Sequence, residues 1–112
     1  MSKEIEKIEK LAAKKKGDKI AKYLTSKNTS VRIAAMKALG KCDGENGFNA
    51  LINFLKDPDA EVRMAAAEGL GGTKKDVAFT HLSHNLSSEK DERVIVAMKE
   101  AMTKIRQSTH GA

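Results

Sequence analysis

The chain is 112 residues long, 40% hydrophobic and 32% charged, with a net charge of +6, which suits one compact domain and not comfortably two. No apolar run approaches the roughly 20 residues that a membrane-spanning helix needs, and the N-terminal MSKEIEKIEKLAAKKK lacks the apolar stretch of a secretion signal. One cysteine, Cys42, excludes an intramolecular disulfide framework, and scarce aromatics and a single proline complete the expectation of a small, helical, cytoplasmic protein.

The charge is unevenly placed. Residues 1–41 hold twelve Lys/Arg against four acids, whereas residues 42–112 hold nine against eleven. A basic end of this kind can attract nucleic acid or an acidic protein surface. It can equally be the solvated face of an amphipathic helix, the commonest fate of lysine.

In chain order, Ile5, Ile8, Leu11 and Ala12 recur at helical spacing and predict an amphipathic helix that ends near Gly17, giving an N-terminal cap over residues 1–16. Residues 20–40 then align with residues 51–71 at a shift of 31: Val31-Arg32 meets Val62-Arg63, Ala34-Ala35 meets Ala65-Ala66, and Leu39-Gly40 meets Leu70-Gly71. A second shift carries Phe48, Leu51 and Leu55 onto Phe79, Leu82 and Leu86, and one extra residue near Asp91 aligns Val94, Ala97 and Ala101 with Val62, Ala65 and Gly69. Three copies of a two-helix unit follow, at 17–42, 43–73 and 74–107, with a tail at 108–112.

The second helix of each unit is expected to begin after Asn28 or Thr29 in copy one and after Asp59 in copy two. Thr73-x-x-Asp76 and Ser88-x-x-Asp91 read as capping boxes in copy three. Gly40, Gly44, Gly47, Gly71 and Gly72 fall where helices are expected to stop.

The segment Leu55-Lys-Asp-Pro-Asp-Ala-Glu-Val-Arg-Met-Ala-Ala-Ala-Glu-Gly-Leu-Gly71 resembles the HEAT-repeat family, particularly the short bacterial HEAT-like repeats first noted in phycobilisome lyases. Copy one keeps Val31-Arg32-Ile-Ala-Ala but has Ser26-Lys27-Asn28 in place of Asp-Pro-Asp, and copy three has Ile95 in place of the arginine. The resemblance covers roughly residues 17–106. It implies an all-α fold, an α-solenoid of three helical hairpins plus the capping helix, in which each unit completes its neighbour's core. It also implies a structural ladder, in which Arg32 and Arg63 pair with the Asp of the turn before their own helix or of the adjacent unit, with Asp57 or Asp59 as the expected partners.

Ser83 and Asn85 replace Ile52 and Phe54 on the side where a further unit would stack, so the sequence reads as a finished array of about seven helices. In HEAT proteins the second helices line the concave surface. Turning each by 100° per residue places Val31, Ala34, Ala35, Ala38, Leu39 and Cys42 inward and Ile33, Met36, Lys37 and Gly40 outward. The outward positions of the next copies are Met64, Ala67, Glu68 and Gly71, then Val96, Lys99, Glu100 and Thr103. Ile33, Met36, Met64 and Val96 then either form a shallow protein-binding groove flanked by Lys37, Glu68 and Lys99, or are buried between successive units.

No phosphate-binding glycine loop is present. Cys42 reads as a core thiol, and His81 with His84 is two ligands short of a zinc site, so no metal, cofactor or catalytic constellation is expected. Nucleic acid is the weaker alternative partner. HEAT-like DNA glycosylases use basic concave surfaces with aromatics, whereas this chain has no Trp and places Glu68 and Glu100 on that face. A lyase-like action on bilin carriers is implied by the family name alone. The expected function is thus a monomeric, non-catalytic interaction module or scaffold for a partner protein or peptide, away from membranes.

Overall fold

The computed structural model describes residues 2–42 and 44–110, with the side chains of residues 109 and 110 left aside. Among these residues the chain forms seven α-helices and no strand: α1 (Lys3–Ala13), α2 (Gly17–Ile20), α3 (Thr29–Leu39), α4 (Glu45–Phe54), α5 (Ala60–Thr73), α6 (Asp76–Leu86) and α7 (Glu92–His110). A 3-10 turn, Ala21–Thr25, extends α2. The first helix of copy one is therefore tighter and shorter than its counterparts. It still buries Ile20 and Leu24, spaced by one turn, against α3.

The helices pair as α2–α3, α4–α5 and α6–α7, and the pairs stack in serial order. Neighbouring second helices pack directly on each other, α3 on α5 and α5 on α7, whereas the first helices meet much less. Closer approach on one side curves the array towards the second helices, so α3, α5 and α7 form its inner layer. Helix α1 lies against α3 and closes the leading end, burying Ile8 and Ala12.

Each turn into a second helix repeats one hydrogen-bonded device. Asn28, Asp59 and Asp91 accept at their side chains from the backbone N–H of Ser30, Glu61 and Arg93, each at 2.9 Å. Two residues earlier, Ser26, Asp57 and Glu89 accept from the N–H of those same caps at 3.1, 2.9 and 3.0 Å. Three different side chains thus satisfy the same orphan donors. For this reason copy one tolerates the loss of its Asp-Pro-Asp sequence.

The expected capping boxes of copy three are corrected. Thr73 is the last residue of α5 and its hydroxyl donates to the Leu70 carbonyl, while α6 starts after Lys75 without a side-chain cap. Ser88 donates to the Asn85 carbonyl, and Asp91 alone caps α7. Helix α7 also continues through His110, past the expected boundary at 107.

Of the glycines, Gly40 follows the last residue of α3 as expected and Gly44 immediately precedes α4, but the other three are corrected. Gly47 lies inside α4, and Gly71 and Gly72 lie inside α5, which stops instead at Lys74 in the left-handed conformation (φ 58°). Gly40 and Gly69 face each other where α3 crosses α5: a Cβ on Gly69 would stand 2.5 Å from the Met36 carbonyl oxygen. A Cβ on Gly71 would stand 2.9 Å from the Ala101 Cα. Here the small residue is required by contact between helix backbones, not by a turn. With Ala35, Ala65, Ala66 and Ala67 also fully buried, the inner layer packs almost backbone to backbone.

Candidate protein-binding face

Residues at equivalent positions of α3, α5 and α7 form rows across the inner layer. Ser30, Glu61 and Arg93 form the first row, all exposed, and Arg93 reaches Glu61 at 3.8 Å. One turn along, Ile33 and Met64 are half-buried and Val96 is 51% exposed. The third row, Lys37, Glu68 and Glu100, is exposed, with Lys37 and Glu68 paired at 3.3 Å. Lys41, Gly72 and Lys104 form a fourth exposed row. An apolar row therefore lies between two charged rungs, each bridging adjacent helices.

Of the expected face, Ile33, Lys37, Met64, Glu68 and Val96 lie on this surface. Met36 does not: it is fully buried, as is Ala67 at the same position of copy two. Gly40 and Gly71, expected to be open, are buried as well. The rotation per residue is correct, but this side of each second helix lies under the next unit because the glycines allow so close an approach. Lys99 and Thr103, the counterparts in copy three, are exposed because no described unit stacks on them.

At the leading end the face runs into a groove of about 500 Å³ between α1 and α3, with Ile5, Ala12, Ala34 and Ala38 at its base and Glu9, Lys37 and Lys41 at its rim.

The arginine ladder also needs correction. Arg63 does not pair with the carboxylates of Asp57 or Asp59, which are engaged in the turn and the helix cap. Its guanidinium donates to the backbone carbonyls of Asp57 and Pro58, at 2.8 and 3.1 Å, and makes a bidentate pair with Glu89 of copy three at 2.8 and 3.0 Å. Arg32 donates in the same manner to the Ser26 carbonyl at 3.2 Å.

The hydrogen bond from Arg63 holds the Glu89 carboxyl below its ordinary range, against a desolvation that pushes it up. The same bond raises Arg63. Glu89 was missed as the acid, although it stands at the repeat position of Ser26 and Asp57, 26 residues from Arg63 and beside the one-residue insertion. Arg93 was also missed, although its place opposite Glu61 follows from the repeat register. Its hydrogen bond to Asp91 lowers the aspartate and raises the arginine.

Cys42 is buried, with its sulfur donating to the Ala38 carbonyl at 3.6 Å. His81 is half-buried and His84 exposed, and among the described residues no three His, Cys, Asp or Glu side chains converge. No helix among them is long and apolar enough to cross a membrane.

Comparison with known proteins agrees with this architecture. The bilin biosynthesis protein MpeU of Synechococcus sp. (strain WH8020) is 35% identical over 75 residues, covering 63% of this chain and 25% of that protein. The chain therefore spans about a quarter of the length of this relative. No solved structure matches it significantly. A profile described as HEAT repeats matches residues 17–103. That span begins with the first helix of copy one and ends within α7, so what it matches is the run of stacked hairpins itself, and the chain belongs to the HEAT-repeat family.

Proposed function

We propose that the chain is a non-catalytic interaction module that holds a partner protein or peptide along the inner face of α3, α5 and α7. The observation that carries this reading is the apolar row Ile33, Met64 and Val96, set between the rungs Glu61–Arg93 and Lys37–Glu68. Apolar residues in contact with water between ordered charges suit a docked segment that buries the row and reads the rim. The rungs are themselves exposed and add little to folding stability.

The test is recovery of partners from the native cell extract by the wild type and by Val96→Glu and Met64→Glu. A specific partner should be retained by the first and depleted at least about tenfold with either variant, while equal recovery would refute the reading. Because the relative is a bilin biosynthesis protein, bilin is the first small ligand to titrate, by absorbance.

A second reading, weak nucleic-acid binding, draws support from Lys3, Lys7, Lys10 and Lys14, which form an exposed stripe along the outer side of α1. Such binding would shift DNA or RNA at low salt, release it by about 200 mM, and disappear when Lys14, Lys15 and Lys16 become Glu. The exposed Glu61, Glu68 and Glu100 on the inner face weigh against a phosphate backbone lying there.

A further inference from the structure

On the side of copy two that faces copy three, Leu55, Leu70 and Ala67 are buried, Gly71 lies under α7, and the half-buried Phe48 has Lys75 over its ring at 4.8 Å. The same positions in copy three are Leu86, Met102, Lys99, Thr103 and Phe79. They line an open groove of about 520 Å³ between α6 and α7, together with Arg106 and Gln107. Phe79, Leu86 and Met102 are each only half-buried. The repeat thus states what shape fits here, since its own neighbour fills the equivalent site with a helix.

What differs is chemistry. Lys99 stands where Ala67 is buried and Thr103 where Gly71 is, so the backbone-to-backbone contact made between copies two and three cannot be reproduced. Ser83, exposed, replaces Ile52 midway along α6. The groove has an apolar base of Phe79, Leu86 and Met102, the Thr103 side chain in its lining, and cations at its rim: Lys99 and Arg106, whose guanidinium lies 4.8 Å from the Phe79 ring. A second copy of this chain offering the same face would set these cations against each other.

We propose that this groove, a surface distinct from the inner face, docks an acidic amphipathic helix of a partner protein. Leu, Ile, Phe or Met side chains at i, i+3 or i+4 and i+7 of that helix enter between Phe79, Leu86 and Met102. Asp or Glu beside them meet Lys99 at the rim. The helix lies across α6 and α7 as a next hairpin would, but rests on side chains and not on backbone, which suits an exchangeable partner.

The test is selection of a phage-displayed library of amphipathic helical peptides of about 18 residues on the full chain. Selected peptides should be enriched in Asp and Glu on the flanks of the apolar stripe. Synthetic versions should bind one to one and lose at least about tenfold in affinity against Met102→Glu and against Lys99→Glu. Lys99 is exposed, so its replacement tests the rim without disturbing the core. Lys7→Glu, on α1, is the charge-matched control and should bind as the wild type. Failure to select any binder, no acidic enrichment, or unchanged affinity with either groove variant would overturn the proposal. So would a stable dimer in light scattering that Met102→Glu dissociates, because a second copy would then be the occupant.

Discussion

Gly69→Ala is the sharpest test of the close approach between α3 and α5. In an exposed helix this change stabilises by about 1 kcal/mol, because glycine loses more backbone freedom on folding than alanine. At Gly69 the added Cβ would stand 2.5 Å from the Met36 carbonyl oxygen and 3.2 Å from both Leu51 methyls. The leucine methyls can turn away, but a backbone carbonyl inside a helix cannot, so the two helices must part. Overpacking of this type costs about 1–3 kcal/mol, and a clash with backbone belongs at or beyond the upper end. With the propensity gain subtracted, the expected net loss is about 2 kcal/mol. At about 4 °C per kcal/mol for a domain of this size, Tm should fall by about 8 °C in thermal unfolding followed by circular dichroism.

Gly47→Ala is the matched control. It also lies inside a helix, but its Cβ would meet only the end of the Leu39 side chain, at 2.9 Å. That side chain can yield, so Tm should stay within about 3 °C of the wild type or rise. If Gly69→Ala melts at or above the wild-type temperature, the backbone-to-backbone packing is wrong.

Glu89→Gln should destabilise by about 2 kcal/mol in urea unfolding at pH 7. It halves the bidentate pair of a guanidinium whose side chain is 19% exposed, although the carbonyls of Asp57 and Pro58 remain as acceptors. Because Arg63 lowers the folded-state value of Glu89, its contribution is fully present above the unfolded carboxylate range near about 4.3 and is lost as pH falls through the lowered value. The gap between wild type and Glu89→Gln should therefore narrow below about pH 4. Asn28→Ala and Asp59→Ala should each cost about 1 kcal/mol by the same measurement, since each removes a side-chain cap from two-state unfolding of the whole stack. Lys37→Glu, which breaks an exposed pair, should change stability by less than about 1 kcal/mol. A larger loss would mean that the inner-face rungs are structural.

Much of the architecture could be read without coordinates. The 31-residue shift, the apolar spacing of Phe48, Leu51 and Leu55, and the caps Asn28 and Asp59 fix which residues are helical and in what order the hairpins stack. These are local properties: a period sets a helix face, and a side-chain oxygen finds an N–H two residues away. The apolar row Ile33, Met64 and Val96 was legible for the same reason, because the repeat register puts it in line.

Rotation about one helix says which way a side chain leaves the axis, but not how near the next axis lies, and that distance had to come from the folded chain. It decided that Met36 is buried while Lys99, at the same position of copy three, is exposed. It turned Gly71 and Gly72 from helix stops into interior residues of α5. It also delivered Arg63 to Glu89, across 26 residues and an insertion, instead of to the nearer Asp57 and Asp59 carboxylates. Periodicity carries angles along the chain, whereas packing distances depend on which small residues meet across two helices, and no single helix contains that information.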